Sequence, residues 1–318
     1  MKKHLAILLI LLVHTSIFGQ SDLDTTLYPS YRTSVKTQTF RIKMNPSNMA
    51  AYLERYYYYN LLHMFPEALA DINKVIELNP TDHLAVNSLA TLYMDVGDYS
   101  KAIEAFTHCM ALKKDFIDPY YGRALCYHEQ EKYQLALNDL NVLEGMKSDF
   151  TEYHLLRGHC RIKLKDYNGA IADYKMILEK YPDSHEAYNG IGYAYLFLGD
   201  NVLAMKNANK ALEINPNYPK GYAKRGHIKM AVNDVKGAIE DWTKAIELEP
   251  ADFYSYANRG SAKLVLKDYP GALEDFNKSI ELNPLNIEVY QTRAAYYDEI
   301  GQPELAKKDL QKFDELMK

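Results

Sequence analysis

Cysteine is scarce in this sequence, with three in 318 residues. That scarcity excludes a disulfide-stapled scaffold. Tryptophan occurs once. Cations are outnumbered, 37 Lys and Arg against 42 Asp and Glu, for a net charge of -5. No global basic field is present to draw in nucleic acid. Long apolar runs are missing too: Leu5 to Val13 falls short of the about 20 residues that a membrane-spanning helix needs. No cysteine precedes Cys109, so the cleavage-site cysteine of a bacterial lipoprotein is absent. The catalytic motifs GxxxxGK[ST], GxSxG and HExxH are all absent. His128-Glu129 is followed by Gln130-Glu131, which lacks the second histidine of a zinc site. What is present is a globular composition, 47% hydrophobic and 25% charged, with an excess of tyrosine, 28 in all.

Residues 1–20 read as a secretory signal peptide. Lys2 and Lys3 form the positive start, Leu5 to Val13 the apolar stretch, and Gly19 the small residue before cleavage. An uncleaved anchor is the alternative. Cleavage gives an exported chain, periplasmic or secreted, with no transmembrane helix in its mature form. Residues 21–48 are rich in serine and threonine and show no helical period, so they read as a polar linker or arm, disordered by itself. Phe40, Ile42 and Met44 alternate and fit one short strand if a partner edge is at hand.

From residue 49 the chain repeats. Pro182, Pro216, Pro250 and Pro284 are 34 residues apart, and Pro80 keeps the same phase. Ala68, Ala102, Ala136, Ala170, Ala204, Ala238, Ala272 and Ala306 share one register without exception. Counted in that phase, repeats 1 to 8 start at 49, 83, 117, 151, 185, 219, 253 and 287. Each reads as helix, turn, helix. In repeat 6, Asn233-Asp234 makes the turn, and Ala238, Trp242, Ala245 and Leu248 form one face of the second helix.

These residues resemble the tetratricopeptide repeat family. The aromatic at repeat position 4 is Tyr52, Tyr120, Tyr188, Tyr222, Tyr256 and Tyr290, and the small residue at position 8 is Gly158, Gly192, Gly226 and Gly260. Position 11 is Tyr59, Tyr93, Tyr127, Tyr195 and Tyr297. The resemblance covers residues 49–318. It implies an all-α fold, a right-handed superhelical solenoid of antiparallel helix hairpins that binds proteins or peptides on its concave surface. Sixteen of the 28 tyrosines occupy positions 4, 11, 17 or 24, which makes them packing residues first. Repeat 1 departs with Arg55-Tyr56 where Leu-Gly belongs, and repeat 3 with Gly145 and Ser148.

Position 7 is Arg55, Arg123, Arg157, Arg225, Arg259 and Arg293. Position 23 is Asp71, Asp139, Asp173, Asp241, Asp275 and Asp309 in the same six repeats. Repeats 2 and 5 lose both members, with Leu89 and Ala105, and Ile191 and Asn207. In an antiparallel pair turning near position 16 these positions face each other, so each couple is expected to form an ion pair inside its repeat. A stripe of arginines for phosphate is the functional alternative.

Positions 2, 5, 9 and 12 of the first helix lie opposite the packing positions, with 13 beside them. In repeats 3 to 5 this stripe carries Tyr121, Leu125, His128, Leu155, His159, Ile162, Asn189, Tyr193, Leu196 and Phe197, with Asp118, Glu152 and Glu186 at position 2. It is expected to be a groove with an apolar, aromatic centre and one acidic edge. Packing of neighbouring first helices is the competing role for each residue. The family's clamp for acidic chaperone tails needs Lys and Asn at positions 5 and 9, and Asn87 with Thr91, or Tyr121 with Leu125, does not supply them.

His128, His159 and His227 share the inner face and admit a transition-metal site, although no third ligand has the right spacing. Cys109, Cys126 and Cys160 sit at core-type positions, and a Cys109–Cys126 bridge is left open. No segment remains for a catalytic domain, and no cofactor is expected. The expected function is that of an exported, non-enzymatic scaffold for a protein or peptide partner. The alternatives are a structural subunit of the bacterial envelope, using its convex face and arm, and a small-molecule or metal binder using the histidines.

Overall fold

The computed structural model describes residues 28–146 and 151–317, and every regular element among them is a helix. The expected signal segment 1–20 and Ser148 lie outside the described residues. The chain divides at Tyr153 and His154 into two compact parts. The N-terminal part holds α1 (Tyr28–Met44), α2 (Met49–Leu61), α3 (Phe65–Leu78), α4 (His83–Asp95), α5 (Tyr99–Leu112), α6 (Asp118–Glu129) and α7 (Tyr133–Gly145). At the division starts α8 (Tyr153–Lys163). The C-terminal part continues with α9 (Tyr167–Lys180), α10 (His185–Phe197), α11 (Asn201–Ile214), α12 (Pro219–Ala231), α13 (Val235–Leu248), α14 (Phe253–Val265), α15 (Tyr269–Leu282), α16 (Ile287–Glu299) and α17 (Pro303–Leu316). From α2 onward, each repeat is one hairpin of two successive helices, and successive hairpins pack within each part. No described helix is long and apolar enough to cross a membrane.

Local chemistry sets the hairpin. Position 15 turns through the left-handed region in all eight repeats, at Gly97, Gly199 and Gly301 and also at His63, Glu131, Lys165, Asn233 and Lys267, with φ between 55° and 80°. In five repeats an aspartate follows and caps the second helix. Asp166 accepts from the Gly169 N–H at 2.9 Å and Asp234 from the Gly237 N–H at 3.0 Å. Such a cap contributes about 1 kcal/mol. The invariant alanines are all buried, forming the seam along which the two helices meet. Glycine across from them completes the close approach: a Cβ on Gly226 would lie 2.8 Å from the Trp242 ring.

The segment 21–48 corrects its expectation. Tyr28–Met44 is a helix, where a polar linker or arm was expected and a strand through Phe40, Ile42 and Met44 only beside a partner edge. Its inward residues are Tyr28, Tyr31, Val35, Gln38 and Ile42, at spacings of three and four, with Gln38 buried. A glutamine at the centre hides that stripe from a hydrophobicity pattern. Helix α1 packs on α2, and Arg55 reaches back to donate to Thr39 Oγ1 at 3.0 Å. Thr39 is 34 residues before Asn73, so α1 stands in register as the second helix of a preceding hairpin. At the other end, Lys307 and Asp314 of α17 are exposed at positions that are apolar in most earlier repeats.

Candidate functional site

The arginine–aspartate pairs come first because they fix which residues are left over. Arg55 grips Asp71 through Nε and Nη2, both at 2.7 Å. Arg123 on Asp139, Arg225 on Asp241, Arg259 on Asp275 and Arg293 on Asp309 repeat that two-pronged geometry at 2.7–2.9 Å. Repeat 4 is different. Arg157 places Nε and Nη2 on one Asp173 oxygen at 2.9 and 2.6 Å, Arg161 takes the other at 2.7 Å, and His154 Nδ1 lies 3.2 Å away. Each arginine of the set thus faces a carboxylate, which removes the phosphate-stripe alternative. Each two-pronged arginine also donates through Nη1 to position 25 of the preceding hairpin, as Arg225 does to Asn209 at 2.9 Å and Arg259 to Thr243 at 3.1 Å. One side chain therefore ties three helices.

In the N-terminal part, Tyr121 is not the water-facing anchor expected: it is buried at 7% exposure, and burial pushes its hydroxyl pKa up. Leu125 and His128 are half-buried on the same helix, and His128 Nδ1 pairs with Glu129 at 3.1 Å beside Tyr133. Asp118 is half-buried, and that burial raises its carboxyl pKa. Glu152 is half-buried as well. Cys109, Cys126 and Cys160 are free, buried thiols, each pushed up to about 12 by desolvation, so Cys109 and Cys126 do not pair.

The C-terminal part gathers an aromatic group on its first helices. Tyr193 meets Phe197 edge-on at 4.9 Å, and Phe197, 48% exposed, stacks flat on Tyr167 at 5.1 Å. His227 lies 6.4 Å from Tyr193 and packs on Trp242. Leu155 is half-buried against the core that also supports Tyr193, Ile162 is buried within it, and His159 is half-buried. No group of three His, Cys, Asp or Glu suited to a metal occurs among the described residues.

Both signs of charge lie near Tyr193: burial, then Tyr167 and the Glu288 carboxylate, raise its hydroxyl pKa, while a lysine covers its ring. Lys224 Nζ stands 4.8 Å over the Tyr193 ring. Burial, then the charges of Lys220 and Lys163, lower the Lys224 pKa to about 8. The expected acidic edge is engaged elsewhere: Glu186 lies 3.3 Å from His185 and accepts from Ser184 at 3.1 Å. Lys224 escaped the sequence reading because it is at position 6 of repeat 6, outside the stripe and repeats considered. The signal was there in Lys220 and Lys224, four apart on one helix.

Asn189, named in the stripe, is more deeply buried than a groove residue was expected to be. It is 2% exposed, its Nδ2 donates to Tyr218 at 3.4 Å, and its Oδ1 has no partner. Asn87, 102 residues earlier at the same repeat position, is 3% exposed and also has an unpartnered Oδ1. A buried acceptor left unmade costs about 1–3 kcal/mol.

Comparison with known proteins agrees with this geometry. Family models described as tetratricopeptide repeat match residues 85–116, 153–184, 185–218, 224–287 and 276–308. No curated protein sequence matches. Among solved structures, a tetratricopeptide repeat protein from Parabacteroides merdae ATCC 43184 is 20% identical with a TM-score of 0.71, over 81% of this chain and 98% of that one. The APC/C hetero-tetramer Cut9–Hcn1 gives 18% identity and a TM-score of 0.63, over 88% of this chain and 56% of that one. A thermophilic TPR protein of Thermus thermophilus gives 17% and 0.53, over 58% of this chain and 99% of that one. At these identities the likeness is one of fold.

Proposed function

Because the chain belongs to the tetratricopeptide repeat family, whose members generally bind other proteins, we propose that it is a non-catalytic scaffold holding an extended partner segment against its first helices around Tyr193. The aromatic group of Tyr167, Tyr193 and Phe197, with Phe197 48% exposed, carries this reading. Tyr193 and Phe197 are one helical turn apart on α10, so an apolar side chain of the segment can lie against both rings. Lys224 over the Tyr193 ring favours an anionic group on that segment. Tyr193→Ala is expected to weaken partner binding by more than about 1 kcal/mol with an unchanged helical circular dichroism spectrum. Normal binding by that variant, with loss on changing the opposite face, would move the site.

Export belongs to the same proposal, supported by Lys2, Lys3 and the apolar stretch Leu5 to Val13. Sequencing of the mature protein should start near Gln20 or Ser21, and an intact Met1 in an envelope fraction would mean an anchored protein. The role of an envelope structural subunit is the second reading. Phe40 and Met44, one turn apart on α1 and 64% and 70% exposed, favour it.

A further inference from the structure

The two repeats that lack the arginine–aspartate pair share a second property. A cleft of about 570 Å³ opens among α9, α10 and α11, with Ile191 and Asn207 in its lining. Another, of about 350 Å³, opens among α3, α4 and α5, lined by Leu89 and Ala105. The two are the same place in the repeat. Lys175 answers to Asn73, Ile191 to Leu89, Lys206 to Glu104 and Lys210 to His108, each 102 residues apart. The cause is visible in repeat 6, where Arg225 spans from Asp241 on its own second helix to Asn209 on the preceding one. Ile191 is too short to make that span, and Asn207 turns back to the Leu203 carbonyl of its own helix at 2.8 Å. The space between consecutive second helices is left open.

The rims differ. At the arginine-bearing joints, position 25 of the preceding hairpin offers the guanidinium a hydroxyl or amide: Thr39, Thr107, Asn209, Thr243 and Asn277. At the repeat 5 joint that position is Lys175. Lys206 and Lys210 stand beside it, and Glu213, bonded to Lys210 at 2.9 Å, is the one acid of the lining. Lys175 and Lys206 are solvent-exposed. The floor is apolar, with Leu178, Ile191 and Leu203. The repeat 2 cleft has the same opening with a mixed rim, where Lys101 is held by Asp98 at 2.7 Å and Glu104 stands in place of a lysine.

We propose that the repeat 5 cleft is a docking site for an acidic segment of a partner protein, which inserts one aliphatic side chain between α9 and α11 and places carboxylates on Lys175 and Lys206. Charge complementarity selects this occupant: the site combines an apolar floor with an excess of two cations, and a carboxylate-flanked leucine matches both. The site lies on the Tyr188, Ile191 and Tyr195 side of α10, while Asn189 and Tyr193 occupy the other stripe. The inference is therefore independent of the Tyr193 reading.

The experiment uses the full chain and a fluorescein-labelled peptide, Glu-Asp-Glu-Leu-Glu-Asp-Glu, followed by anisotropy at low salt. Ile191→Arg/Asn207→Asp puts the missing pair back, fills the opening and leaves the net charge unchanged. It is expected to weaken binding at least tenfold while keeping the helical spectrum, and Lys175→Glu/Lys206→Glu to do the same. Leu89→Arg/Ala105→Asp, at the repeat 2 cleft, should leave peptide affinity unchanged. A peptide with lysine for each acid should not bind. Wild-type affinity in the filled variant, no binding of the acidic peptide to the unaltered protein, or equal binding of the lysine peptide would overturn the proposal. So would a dimer in sedimentation that the filled variant dissolves and the acidic peptide does not, because the occupant would then be a second copy of the chain.

Discussion

Repeat 6 and repeat 5 have the same hairpin and a different filling. Both keep the buried alanine, Ala238 and Ala204, and the position-8 glycine, Gly226 and Gly192. Repeat 6 adds Arg225, fixed by Asp241 and Asn209, where repeat 5 has Ile191 and an open cleft. The small-residue seam alone therefore makes the hairpin, and the ion pair decides what lies between successive second helices. A bidentate pair of this kind costs desolvation that its hydrogen bonds offset, so its presence says more about specificity of packing than about net stability. Its one-sided loss is another matter.

The largest effect is expected in repeat 4. Asp173→Ala removes the carboxylate that Arg157, 3% exposed, shares with Arg161 and His154, while Arg161 keeps Asp166 at 3.5 Å. Urea unfolding should show a loss of about 3–5 kcal/mol. The matching change in repeat 5, Asn207→Ala, removes no charge partner and should cost less than about 1 kcal/mol. Comparable losses at both would dissolve the distinction between the two kinds of repeat. In repeat 6, Arg225→Ala and Asp241→Ala should each destabilise by about 1–3 kcal/mol, with the double variant losing less than the sum. Additive losses would mean that the two side chains act separately.

Lys224 gives the comparison a pH dependence. Its folded pKa, about 8, lies below the ordinary 10.5, so below pH 8 the ammonium is charged in both states and the folded state bears the cost of its burial. As pH rises from 8 to 10.5 the unfolded chain holds more protons and stability rises. Lys224→Met should therefore gain on the order of 1–3 kcal/mol at pH 7 and flatten that rise. Binding of an anionic partner segment runs the other way, weakening as pH passes 8. The smallest effect is at the turns. Lys165→Gly should stabilise by about 1 kcal/mol and Gly199→Ala destabilise by a similar amount, because both positions have positive φ. Thermal unfolding of the two variants side by side checks the sign.

Much of this was legible in the residues alone. A 34-residue period, the alanine register and the matched loss of arginine and aspartate lead to the hairpins and to which side chains face each other. Helix α1 was not read from the sequence, because Gln38 interrupts the inward stripe of Tyr31, Val35 and Ile42 at its buried centre. Tyr121 was misjudged because its repeat position says which way it points on its own helix, while its burial is set by packing beyond that helix's period.

What the sequence by itself determined is local: helix periods, capping aspartates, turn positions and the pairing of position 7 with position 23 are all set within one 34-residue window. What only the tertiary structure decided lies between windows. Lys224 over Tyr193, the unpartnered amides of Asn87 and Asn189, and the clefts at repeats 2 and 5 each depend on helices from adjacent repeats meeting at a given distance. Side-chain volume sets that distance across a packed joint, where an isoleucine in place of an arginine leaves an opening that no pattern of residue types states.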